Sequence, residues 1–280
     1  MTTSSGQNYL AIPGPSVVPD EVLRSMHRPA PNIYEGELIE ITESLIQDLN
    51  YVARSSGKVA MYIANGHGIW EAALSNMVSK GDYILVIATG RFAYGWAEMA
   101  KRMEIKIDIV DFGKDKALDV ETVSKKLLSQ PKNKYKAILL TQVDTSTSVK
   151  NDIKSLRKKL TEIECQSLLA VDCIASLACD RFEMDAWGVD VMVAACQKGL
   201  MVPPGMGFVF FNHRAEERQK ELKNVSLYWD WEPRVNPSRY YEYFCGTAPT
   251  HHIYGLRTAL DMIKNEEIEK TWKRHEILSQ

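Results

Sequence analysis

The stretch V-A-A-C-Q-K-G-L-M-V-P-P-G-M-G-F-V-F-F, Val193 to Phe211, places a single lysine between two apolar runs of strand character. A lysine closing an apolar run is ordinarily a solvated strand end, its stem along the surface and its ammonium in water. A lysine drawn into an apolar pocket has a depressed pKa instead, and its free amine can attack a carbonyl and form a Schiff base. Position alone favours the solvated reading of Lys198. Pro203-Pro204-Gly205 reads as a rigid turn that brings the next strand back beside the sheet.

Outward from this stretch, short apolar runs recur at 59–63, 83–87, 105–110, 136–140, 167–171, 190–194 and 207–211. Amphipathic helical patterns lie between most of them, at 69–79, 92–103, 120–128 and 153–163. Two helices precede the block (19–26 and 36–51) and two follow it (249–263 and 266–278). Alternating strand and helix predicts an α/β fold, a mostly parallel seven-stranded sheet with helices on both faces. Open sheets of this kind bind ligands at the carboxyl ends of the strands, so the loops there hold the candidate site.

Composition narrows the function. Of 280 residues 45% are hydrophobic and 25% charged, enough to bury a large core. Lys and Arg number 34 against 36 Asp and Glu, a formal net charge of −2 with no long block of one sign, so neither nucleic acid nor an anionic membrane is indicated. The five cysteines form no C-x-x-C and suggest neither a disulfide framework nor a zinc knuckle; they read as reduced. The first ten residues lack a basic region followed by an apolar core, which makes the cytoplasm the expected location.

The strand ends supply the chemistry. The first run leads into N-G-H-G (65–68), where small residues and a helix N-terminus suit a phosphate, or form an ordinary strand-to-helix turn. After the second, Phe92 opens a helix; it is a core residue or a ring that stacks on a flat ligand. The fourth ends in D-T-S-T-S (144–148), a loop fit either for a polar ligand or for capping the helix near Asp152. The fifth delivers Asp172 straight after an apolar run, where a carboxylate needs a backbone cap, an arginine or a cationic ring nitrogen. Asp172 and Lys198, on consecutive strands, with a phosphate turn and a stacking ring, match what a pyridoxal phosphate site requires. The turn N-G-H-G lacks the third glycine of a dinucleotide fingerprint and no acid closes the second strand, which removes a nicotinamide dehydrogenase from consideration.

The segments 13–20, 65–76, 171–177, 187–191, 197–207 and 254–260 resemble, in order, the class V, fold type I pyridoxal phosphate aminotransferases, closest to the serine/glyoxylate and alanine/glyoxylate group. The resemblance implies transfer of an amino group from serine or alanine to glyoxylate or pyruvate. Lys198 would carry the internal aldimine and move the substrate Cα proton. Asp172 would hold the pyridinium nitrogen, Phe92 would stack on the ring and Thr145 would lie on its hydroxyl side. Gly66, His67 and Gln197 would bind the phosphate, with Thr247 reaching over from the second subunit of a homodimer.

Residues 1–30 would form an arm and first helix, 31–255 the cofactor-binding large domain, and 256–280 the start of a helix leading to a C-terminal domain expected to be missing from this sequence. In the family that domain supplies the arginine for the substrate carboxylate, so a form ending at Gln280 is expected to bind cofactor weakly. Arg257 matches a helix residue, not that clamp. Two positions depart from family patterns: Phe92 stands where some members carry tryptophan, and Phe244 where tyrosine is common. His67 leans towards the alanine pattern; G-L-M-V-P-P-G-M-G and W-D-W-E (229–232) lean towards serine. The alternatives are a class V lyase such as a cysteine desulfurase, whose usual histidines are Phe92 and Gln197 here, and a non-catalytic relative.

Overall fold

Side chains along each strand alternate between two cores. In β1 (Lys58–Ile63), Val59 and Met61 enter one and Ala60 and Tyr62 the other. This period of two, apolar on both faces, marks a strand covered by helices above and below. The structure, a computed structural model, describes residues 10–280. Residues 1–9, most of the N-terminal stretch read for a targeting pattern, lie outside them.

Helices α1 (Asp20–Met26) and α2 (Glu37–Ala53) precede β1. Then α3 (Gly66–Met77), β2 (Tyr83–Ala88), α4 (Arg91–Arg102), β3 (Lys106–Asp111), α5 (Val120–Leu128), β4 (Tyr135–Thr141), α6 (Ile153–Glu162) and β5 (Leu168–Asp172) alternate as expected. Next come β6 (Val191–Ala195), β7 (Met206–Phe211), α7 (His213–Lys220), the short α8 (Glu232–Val235), a 3-10 turn at Tyr240–Phe244, α9 (Thr250–Glu266) and α10 (Ile268–Leu278). The seven expected strands fall where the apolar runs lie. Helix α3 starts at Gly66 instead of Ile69 because Asn65 caps it, its Oδ1 accepting from the amides of His67 and Gly68. Helix α7 escapes a reading by periodicity because H-R-A-E-E-R-Q-K has almost no apolar stripe; Asn212 caps it and Arg218 ties it to the Met77 carbonyl.

The strand order is β1-β7-β6-β5-β4-β2-β3. Only β7 runs against its neighbours, pairing antiparallel with both β1 and β6. Its link from β6 is the short stretch around Pro203-Pro204-Gly205, too short for the crossover that a parallel neighbour needs. Between β5 and β6 the crossover is irregular, with no helix among residues 173–190. Helices α3 and α4 pack on one face of the sheet; α2, α5, α6 and α9 cover the other. No helix among the described residues is long and apolar enough to cross a membrane.

Candidate active site

A cleft of about 270 Å³ opens at the carboxyl ends of the parallel strands. Asn65, Gly66, His67 and Trp70 line it from the β1–α3 turn, Phe92 from α4, and Val143 and Thr145 from the loop after β4. Asp172, Ile174 and Ala175 follow β5, Gln197, Lys198 and Pro204 follow β6, and Gly14 and Pro15 reach in from the N-terminal arm. Seven of the eight residues singled out from sequence therefore meet in one place. Thr247 does not line the cleft in this chain; it is exposed just before α9.

Asp172 is 4% exposed, the last residue of β5, paired between Thr141 of β4 and Val193 of β6. Its Oδ2 accepts from Trp70 Nε1 at 2.9 Å and its Oδ1 from the Ile174 amide at 2.7 Å. Burial pushes its pKa up to about 6 against those two donors, with the charge of Asp144 adding to the rise and Lys198 opposing it. No arginine pairs with it among the described residues; the Ile174 amide supplies a backbone cap and the Trp70 indole the second donor. A carboxylate held this way is suited to a cationic ring nitrogen.

Lys198 is half-buried, and burial lowers its pKa below the ordinary lysine range while Asp172 and Cys179 pull it up. Its Nζ donates to the Pro13 carbonyl. The arm is fastened to the lysine loop by Ser16, whose amide donates to the Gln197 carbonyl at 2.8 Å and whose Oγ donates to the Lys198 carbonyl at 3.0 Å. A β-carbon at Gly14 (φ +134°) would overlap the end of the Lys198 side chain, so the arm approaches this closely only with glycine there. The lysine that looked like a solvated strand end thus sits under a strap of backbone.

Phe92 lies edge-on to Trp70, ring centroids 6.2 Å apart at 70°, and Trp70 also contacts the His67 ring at 4.6 Å. The D-T-S-T-S loop keeps Thr145 at the cleft but does not cap the helix near Asp152, since Asp152 caps α6 itself through the Ser155 amide. Asp144 caps α4 instead, accepting from the Phe92 amide at 2.9 Å. Phe244 is buried beside Tyr240 and Tyr243, in the core of its own chain. Arg257 joins α9 to α2 through Asp48 and Ser44, away from the cleft.

Sequence reasoning gave no role to Trp70 or to the arm. A tryptophan in an apolar helix reads as core, and P-G-P-S carries no signal that it will cross over a lysine 184 positions later, at the Gly14 separation. The one usable hint was that residues 13–20 resemble the family.

A profile of the class V aminotransferases matches residues 9–280. Serine–glyoxylate aminotransferase of Arabidopsis thaliana is 32% identical over 271 residues, 96% of this chain and 68% of that protein. Alanine–glyoxylate aminotransferase 1 of Saccharomyces cerevisiae is 28% identical over 96% of this chain and 74% of its own length. Among solved structures, an alanine–glyoxylate aminotransferase from Nostoc sp. superimposes with a TM-score of 0.87 at 23% identity, covering 98% of this chain and 73% of that one. The chain belongs to the class V aminotransferase family, and its fold is the large-domain fold of type I pyridoxal phosphate enzymes. It is an aminotransferase dependent on pyridoxal 5′-phosphate.

The cleft fits that cofactor. Gln197 Oε1 is buried without a hydrogen-bond partner, and exchanging the oxygen and nitrogen of this amide would present an N–H to a phosphate. Asp172 offers a buried acceptor, and the amine of Lys198 shares the same cavity. The amides of His67 and Gly68 are already engaged by Asn65, so the N-G-H-G turn offers an anion fewer donors than its sequence suggests.

Proposed function

We propose that the protein moves an amino group from serine or alanine to glyoxylate or pyruvate, with Lys198 as the residue that bonds the cofactor's aldehyde carbon. The observation that carries this reading is Lys198 and Asp172 lining a single cleft together with Phe92. Relatives named for serine–glyoxylate and alanine–glyoxylate transfer support the substrate pair.

Pyridoxal phosphate, when bound, supplies an electron sink for the substrate's Cα bond. Asp172 would hold the ring nitrogen in its protonated form, because a buried carboxylate favours a cationic partner. The amine of Lys198, lowered in pKa by burial, would take the substrate's Cα proton in its neutral form and hold it for return. Phe92 would stack on the ring and Thr145 would lie on its hydroxyl side, and Gln197, Gly66 and His67 would receive the phosphate; all five line the cleft. The exposed position of Thr247 suits a contact with the phosphate of a second subunit, so a homodimer belongs to this reading. The large domain spans 31–255, preceded by the arm and first helix.

The test is reconstitution with cofactor followed by a donor and acceptor screen. Alanine or serine with glyoxylate is expected to give the highest rate, and Lys198→Ala to lose the visible absorbance of lysine-bound cofactor. Retention of that band by Lys198→Ala overturns the assignment of the lysine. Sulfide release from cysteine exceeding amino transfer to glyoxylate overturns the reaction. Sedimentation as a monomer with cofactor bound overturns the dimer.

A further inference from the structure

Asp144 is fully buried, and no basic side chain pairs with it among the described residues. Its charge is met by donors instead. Oδ2 accepts from the amides of Phe92 at 2.9 Å and Ala93 at 3.4 Å; Oδ1 accepts from the Ser146 amide at 3.0 Å and the Ser146 hydroxyl at 2.6 Å. Ser146 Oγ in turn accepts from the Arg91 amide at 2.9 Å. The first turn of α4, with its partial positive charge, completes the neutralisation.

One carboxylate therefore joins two walls of the cleft. Its Oδ2 fixes the turn that carries Phe92, and its Oδ1 fixes the loop that carries Thr145. Glycine at position 90 makes the contact possible, since a β-carbon there would collide with the Asp144 carboxylate. Thr147 Oγ1 adds a second tie across the same gap, donating to the Thr89 carbonyl at 3.0 Å.

We infer that Asp144 is a positioning residue, setting the placement of Phe92 and Thr145 relative to each other in the cofactor cleft. The inference rests on the stacking role proposed for Phe92. Asparagine cannot substitute: it offers one acceptor oxygen where two are used, and its amide would face N–H donors on the other side.

The test is a cycle on the cofactor-bound protein comprising wild type, Phe92→Ala, Asp144→Asn and the double variant. Cofactor affinity and visible circular dichroism per bound cofactor are measured for each. Either single change is expected to weaken cofactor binding about tenfold and to reduce the ellipticity, and the double variant to be no weaker than the worse single one. Loss of folded protein alone lowers occupancy but leaves the ellipticity of each bound cofactor unchanged. If Asp144→Asn fails to fold, Ser146→Ala, at an exposed residue, is expected to weaken binding about threefold. Additive effects, or unchanged affinity and ellipticity in Asp144→Asn or Ser146→Ala while Phe92→Ala is impaired, overturn the inference alone. If Phe92→Ala changes neither quantity, the stacking role falls, and the inference with it.

Discussion

The indole Nε1 of Trp70 donates to Asp172 Oδ2 across 2.9 Å, joining residues 102 positions apart on α3 and β5. Both are buried, Trp70 to 1% and Asp172 to 4% exposure, so the bond is screened from water and fixes the face that the carboxylate turns to the cleft. Trp70→Phe keeps most of the apolar bulk and removes the donor. Its loss is expected to cost about 2 kcal/mol of stability and to raise the Asp172 pKa further above its value of about 6. Denaturant unfolding and NMR titration of the Asp172 carboxyl measure the two effects.

The raised pKa of Asp172 has a definite sign in stability. Its folded value of about 6 lies above the ordinary aspartate value of 3.8, so the folded state binds more protons in that interval. The cofactor-free protein therefore loses stability as pH rises from about 4 through 6, by roughly 3 kcal/mol from this group. Asp172→Asn removes the dependence: the variant is expected to be the more stable protein above pH 6, the gap closing towards pH 4. Urea unfolding across that range checks it, and a gap that widens in acid contradicts it.

Gly14→Ala sets a β-carbon against the Lys198 side chain, at a φ of +134° that alanine adopts only with strain. The arm contacts the lysine loop from outside the main core, so overall stability is expected to fall by less than about 1 kcal/mol. Covalent attachment of the cofactor is expected to slow about tenfold, as the amine is driven from the Pro13 carbonyl. Stopped-flow absorbance after mixing with cofactor reads this directly.

Arg257 separates structure from substrate binding. It holds Asp48, which is 9% exposed, with help from Lys264 at 2.8 Å. Burial alone would raise the Asp48 pKa, but hydrogen bonds from Lys264 and Arg257 outweigh it and keep the pKa below 3.8. That contribution to stability is present above pH 4 and is lost as pH falls through the lowered folded value. Arg257→Gln is expected to cost about 1–2 kcal/mol at pH 7 and to leave cofactor affinity unchanged. A loss of affinity without loss of stability would contradict this role.

Sequence by itself determined the sheet and the identity of its polar strand ends. Periodicity is local physics, so apolar runs became strands, and the loops after them carried Asp172 and Lys198 to one edge of the sheet. It also held the short Pro203-Pro204-Gly205 return that makes β7 antiparallel to β6. What only the tertiary structure decided are bonds between distant segments: Trp70 on Asp172, the arm over Lys198, and Asp144 under Phe92. Each depends on strand order and on distances of about 3 Å, which no local pattern encodes. Burial then set the chemistry, since the same aspartate and lysine in water would keep their ordinary pKa values.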